Sequence, residues 1–200
     1  MTAGQPRRTQ EQRRAETERR VVDAAISLIA AQGSHSVTLA QVGEAAGYSR
    51  GIVHHHFGSR ERLLAAVIES AAKFPLPEYE GSGLDHLTAI LETYVRNVVD
   101  RDLTARAFLR LWGESIAADP ILVPLFAAQD ASFRSFLADR VRVGIADGSM
   151  RADTDPAAAA AYLLAVMRGL CLQLISAPPI RNLAAVIREA QVATRGAFGA

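Results

Sequence analysis

The chain has 200 residues, half of them hydrophobic, with 22 basic and 21 acidic side chains and a net charge of +1. That is enough apolar material for a sizeable core, in one compact domain or a small one joined to a larger one, and charge alone does not point to nucleic acid. A single cysteine, Cys171, excludes an internal disulfide and fits a reducing cytoplasm.

The near-neutral total hides an asymmetry. Residues 1–73 carry 10 basic and 7 acidic side chains, giving +3, whereas residues 74–200 carry 12 and 14, giving −2. The polar N-terminus lacks the apolar stretch of a secretory signal. Residues 1–15, with Arg7-Arg8 and Arg13-Arg14, read as a flexible basic arm, a type of segment that reaches phosphates or a minor groove or else stays solvated. A first helix is expected over about 15–32, with Val21, Ala25, Leu28 and Ile29 inward and Gly33 as its stop.

The segment Val37 to Leu64, VTLAQVGEAAGYSRGIVHHHFGSRERLL, is the most informative in the chain. Thr38 and Gln41 have the spacing of a capping box, and Val37 and Val42 that of a hydrophobic staple. Leu39, Val42 and Ala46 make one apolar stripe before Gly47 ends the helix. Ser49 caps a second helix, with a staple expected from Tyr48 to Val53; Gly58 ends it and Ser59 starts a third. Helix, short glycine turn, helix is the helix-turn-helix arrangement, whose second helix can enter a major groove. In that helix Val53 and Phe57, four apart, should face inward. Arg50, Gly51, His54 and His55 then lie on the other side. Glycine inside a helix costs roughly 1 kcal/mol against alanine, so Gly51 is hard to explain by stability and suits a close approach to a strand. A short solvated helix is the alternative these residues leave open.

The third helix is expected to run to about residue 73. Prolines and glycines then break the period over 74–83, a predicted loop. Five further helices are predicted near 84–100, 103–118, 121–146, 156–176 and 182–196, nine in all, with no strand-like alternation and no internal repeat. Asp102, Asp119-Pro120 and Asp155-Pro156 mark starts, and Asp147-Gly148 marks a stop. The 156–176 helix is apolar nearly all round and raises the membrane question. Arg168 and Gln173 interrupt it, and a charge at mid-membrane costs about 3 kcal/mol, so a helix buried in a soluble bundle is expected instead. Its small residues Ala160, Ala161, Ala165 and Gly169 permit close packing of a second helix pair. With the stripe of Leu183, Val186, Ile187, Ala190 and Ala193 on the last helix, joined by a turn at 177–181, they predict a four-helix interface between two copies. A two-fold dimer would set two recognition helices about 34 Å apart on a near-palindromic site. A monomer core is the alternative.

The Val37–Leu64 segment closely resembles the TetR family of transcriptional regulators. The match rests on Thr38, Ala46-Gly47-Tyr48-Ser49, Gly51, His56-Phe57, Ser59-Arg60 and Leu63-Leu64, in one register without gaps. It covers about a seventh of the chain; the rest agrees only in helical layout. The family usually has tyrosine where this chain has His54 and lysine where it has Arg60. The resemblance implies an all-α, nine-helix, two-part fold: a flexible arm at 1–15, a helix-turn-helix head at 16–64, and a ligand-binding and dimerisation bundle at 65–200. It implies base contacts from Arg50, Gly51, Ile52 and His55, and phosphate contacts from Thr38, His54, His56 and Arg60. Arg60 keeps the charge and can fork onto a phosphate, while a contact from His54 would depend on pH near 6–7.

It also implies an apolar cavity for a small effector, lined from Tyr94, Phe108, Trp112, Glu114, Phe126, Phe133, Met167 and Cys171. Phe136 and the polar candidates Gln129, Gln173 and His86 lie in the same region. Read alone, the aromatic side chains are equally a plain core, Cys171 a packed thiol amid leucines, and Glu114 a surface partner for Arg110. No glycine-rich phosphate loop, nucleophile elbow or Cys-x-x-Cys motif occurs. His54, His55 and His56 cannot share one metal ion, because consecutive helical residues point about 100° apart. The expected protein is therefore not an enzyme and takes no cofactor or metal. It is a cytoplasmic homodimeric repressor released from DNA by a small apolar effector. Two alternatives remain: a regulator controlled by a partner or by abundance, and a helical binding protein that has lost DNA binding.

Overall fold

A computed structural model describes residues 9–78, 80–176 and 180–200. Nine α-helices lie among them: α1 Gln10–Gln32, α2 Leu39–Ala46, α3 Arg50–Phe57, α4 Arg60–Ala72, α5 Gly83–Asp100, α6 Asp102–Ile116, α7 Leu122–Ala146, α8 Pro156–Ile175 and α9 Leu183–Phe198. No strand occurs among the described residues; one isolated bridge joins Met150 to Gly199.

The largest departure from expectation is at the start. Thr9 accepts a hydrogen bond from the Gln12 amide while the Gln12 side chain accepts from the Thr9 amide. This capping box starts α1 at Gln10, so residues 10–15 are helix and not arm. Arg14 pairs with Glu18 one turn on, at 2.9 Å. Arg7-Arg8, and part of the predicted turn at 177–181, lie outside the described residues.

Other boundaries follow local chemistry. Thr38 and Gln41 form the second capping box, and Gly47 closes α2 in the left-handed region at φ 77°, which glycine adopts without a Cβ penalty. Asp119 accepts from the amides of Ile121 and Leu122 and so starts α7. Asp155 does the same for Ala157 and Ala158, with Pro156 in the first turn of α8.

The helices bury two cores. One joins α1, α2, α3 and α4 to Ala107 and Leu111 of α6 and to Leu122 and Phe126 of α7. The other is built by α5, α7, α8 and α9, around Ile90, Leu91, Leu137, Val141 and Leu163. The head is therefore not a free module: α6 and the first turns of α7 complete its core, and α7 runs on into the second. Ile187 of α9 is 2% exposed in that second core, with Leu183 and Ala190 packed against it. The α9 stripe thus serves its own protomer, because α9 lies on α5, where Arg195 pairs with Asp85 at 2.5 Å. Ile187, expected at an interface, is thus buried within its own protomer, while Leu183, Val186 and Ala190 are half-buried.

Helix α8 differs. It is the one described helix long and apolar enough to cross a membrane, yet only 39% of its apolar window is buried within the protomer. Leu163, Leu164, Met167 and Cys171 face inward, whereas Ala161, Ala165, Gly169 and Leu172 are exposed along one face.

Candidate nucleic-acid interface and effector cavity

Ser49 starts α3 by accepting from the Ile52 amide. Val53 and Phe57, 0% and 8% exposed, then pin the helix to the head core. Helical geometry puts the remaining side chains outward: Arg50, Gly51, Ile52, His54 and His55 are all exposed. A Cβ at Gly51 would meet only Ser49 Oγ, at an ordinary 3.7 Å. Nothing inside the protein requires glycine there.

Two residues expected at phosphates are turned elsewhere. His56 has a side chain only 13% exposed, with Nδ1 3.4 Å from Glu18 Oε1 on α1. Arg14 holds the Glu18 carboxyl below its usual range, against the effect of burial and with help from His56. Arg60 points back under the head, donating to Ser34 O at 2.8 Å and to Ser34 Oγ at 3.0 Å. Both bonds come from Nη2, so one side of the half-buried guanidinium is engaged inward while Nε and Nη1 keep their donors. Thr38 stays exposed, its hydroxyl engaged in the α2 cap. The rings of His55 and His56 meet edge-on at 5.8 Å, and no group of three or more His, Cys, Asp or Glu among the described residues is arranged to hold a metal ion.

Beside α3 the start of α1 completes a groove lined by Glu11, Arg13, Arg14, Thr17, His55 and His56 among others. Arg13 and Arg14 were read as part of a mobile arm; as residues of α1 they stand next to α3. Arg20 stacks over the Tyr48 ring at 5.0 Å and donates to Ala46 O at 2.9 Å, which fixes the turn to α1.

Glu114 was expected in a pocket, or paired with Arg110. It accepts instead from the Ser34 amide at 2.8 Å and the Ser34 hydroxyl at 2.5 Å. His35 lies 3.5 Å from Glu114 and 3.2 Å from Asp119. Burial alone would raise the Asp119 carboxyl, but the amides of Leu122 and Ile121, with His35 and Arg60 nearby, hold it below its ordinary value. These residues clamp the α1–α2 turn to the α6–α7 corner.

A cavity of about 50 Å³ lies between the end of α4 and helices α5, α6, α7 and α8. Tyr94, Phe108, Phe133 and Cys171 line it as expected, together with Gln129. Trp112 and Phe126 instead pack in or against the head core, and Met167 is buried in the second core. Sequence reasoning missed Asn97, Thr104, Arg101 and Arg168. Arg101 donates to Lys73 O and Ser70 O, tying the end of α4 to the cavity rim. Arg168 has a side chain 7% exposed, pairs with Asp130 at 2.5 Å, and lies over the rings of Phe108 and Trp112 at 5.1 and 5.2 Å. Burial pushes the Cys171 thiol up to about 12, although Arg168 and Tyr94 act to lower it; burial likewise raises the Tyr94 phenol.

Comparison with known proteins agrees with this layout. The model for bacterial regulatory proteins of the tetR family matches residues 21–67, and that for the C-terminal part of BetI-type transcriptional repressors matches residues 84–195. The HTH-type transcriptional repressor AcnR of Corynebacterium efficiens is 28% identical over 88% of this chain and 90% of its own. The HTH-type transcriptional regulator BetI of Rhizobium meliloti is 46% identical, but over only 25% of each chain. A regulator from Saccharomonospora viridis, solved in complex with choline, shares the fold at TM-score 0.71 and 21% identity, over 93% of this chain and 99% of that one. A helix-turn-helix head carried on an all-α body defines a transcriptional regulator. The chain belongs to the TetR family.

Proposed function

We propose that this regulator is a homodimeric repressor that reads a near-palindromic operator with α3 and is released by a small effector. The observation that carries the reading is the outward face of α3, where Arg50, Gly51, Ile52 and His55 are exposed on a helix that Val53 and Phe57 hold rigidly. Arg50 can donate to a guanine edge, and the open space at Gly51 lets backbone approach a strand. In this reading His54, Thr38 and Arg13, all exposed, contact phosphates around that helix.

Dimerisation is supported by α8. Its exposed Ala161, Ala165, Gly169 and Leu172 form one apolar face, and a Cβ at Gly169 would meet nothing within 4 Å. Tyr162 of α8 and Val192 of α9 are also exposed, at 44% and 64%. An apolar face left open by its own protomer is covered by a second copy in this reading. A DNA-bound regulator of this kind works in the cytoplasm.

Release would work through α4. Ala71, Ala72 and Phe74 at the end of α4 wall the cavity, and Arg101 holds the last carbonyls of that helix. A ligand seated there displaces α4 and, with it, the head. Shifting the heads from 99:1 to 1:99 takes about 5.5 kcal/mol of differential affinity. Selection from random duplexes by the purified protein, at two salt concentrations, tests the reading, because non-specific affinity falls steeply with salt. A two-fold symmetric motif recovered at the higher salt supports it; salt-sensitive binding without a motif overturns it.

A further inference from the structure

We infer that the effector of this protein is an apolar molecule carrying a carboxylate, which Arg168 receives at the inner wall of the cavity. The inference rests on the effector-released reading above and names the chemical class of the ligand.

Three observations carry it. Arg168 is almost wholly buried and pairs with Asp130 through one terminal nitrogen, yet its Nε has no hydrogen-bond partner. A buried guanidinium N–H without a protein acceptor is costly, and a carboxylate oxygen is suited to relieve it. The charges are also unequal. Two guanidinium groups, Arg101 and Arg168, line the cavity, and no Asp or Glu does so among the described residues. Asp130 offsets one of them from outside the lining. Finally, the rest of the wall is aromatic or aliphatic: Phe74 meets Tyr94 edge-on at 5.3 Å, and Tyr94 stacks on Phe133 at 5.8 Å. That surface takes an apolar body and leaves the acidic head to the arginines.

The same features disfavour a quaternary ammonium of the kind bound by the Saccharomonospora viridis protein. Aromatic rings can hold such a cation, but here the guanidinium of Arg168 already lies over the faces of Phe108 and Trp112. A second cation would meet like charge with no carboxylate to offset it.

Calorimetric titration of the full chain with 4-phenylbutyrate, 4-phenylbutan-1-ol, 4-phenylbutylamine and choline separates the outcomes. The acid is expected to bind, the alcohol about tenfold or more weakly, since a hydrogen bond to a charged group contributes about 1.5–3 kcal/mol. The amine and choline should not saturate. Binding of the amine or choline as tight as that of the acid overturns the carboxylate class and leaves the effector cavity standing. Equal binding of acid and alcohol also overturns it. No binding by any of the four overturns both the class and the effector reading. Arg168→Gln alone leaves Asp130 unpaired, so the confirming variant is Arg168→Gln with Asp130→Asn, its fold checked by circular dichroism. Loss of the preference for acid over alcohol assigns the contact to Arg168; an unchanged preference removes that assignment.

Discussion

Ser34 and Glu114 stand 80 positions apart and are joined twice, the amide and hydroxyl of one donating to the two carboxylate oxygens of the other. Ser34 is fully buried, so neither donor has water as a substitute. Glu114→Ala should therefore lower unfolding stability by about 2–3 kcal/mol, and Glu114→Gln, which keeps one acceptor, by less. Urea denaturation measures both. An unchanged midpoint in the alanine variant would mean that this clamp does not hold the head to the body.

Arg60 shares that site, since Nη2 of its half-buried guanidinium donates to Ser34 O and Oγ. Arg60→Ala should cost about 1–2 kcal/mol of stability and leave the slope of log affinity against log salt unchanged. Removing a true phosphate contact would lower that slope by about 0.9; Arg13→Ala is expected to do so. The reverse pattern would return Arg60 to the DNA surface.

The Cys171 thiol, raised to about 12 by burial, is almost entirely protonated at ordinary pH, and the thiolate is the reactive form. Native protein should resist a disulfide reagent at about pH 8 and label fully once unfolded. Native labelling as fast as that of the denatured chain would show an open, hydrated cavity.

Acid should unfold the protein through its capping aspartates. The Ser82 hydroxyl first, and then Arg195, hold Asp85 below its ordinary value near 3.8; amide donors do so for Asp119 and Asp155. Depressed carboxyl pKa values contribute stability that is fully present above the unfolded value and lost as pH falls through the lower folded one. The stability difference between wild type and Asp119→Asn should hold from about pH 7 to 5 and shrink towards zero by about pH 2. Urea midpoints across that range measure it. A difference that persists at the acid end would assign the effect to geometry and not to charge.

What could be read from the sequence was what depends on near neighbours. The Thr38 and Gln41 cap, the Gly47 turn, the Ser49 start and the inward Val53 and Phe57 are set within a few residues, and all appear where expected. The Thr9 and Gln12 box was equally local but lay inside a stretch whose arginines suggested an arm. Distant partners were not legible. His56 turns to Glu18, 38 positions away, and Glu114 finds Ser34 rather than Arg110. Ile187 has the periodicity of an interface stripe, and only the placement of α5 decides which surface it covers. Arg168, which looked like an interruption in an apolar helix, becomes part of a cavity wall because Asp130 of α7 meets it.

The central claim is that α3 reads bases symmetrically. Its most direct test measures wild type and Arg50→Ala against every single-base variant of the selected site. The predicted result is loss of discrimination, about 1–3 kcal/mol, at one base pair in each half-site, at positions related by the two-fold axis. Uniform weakening across all variants, or no change at any position, would contradict the account.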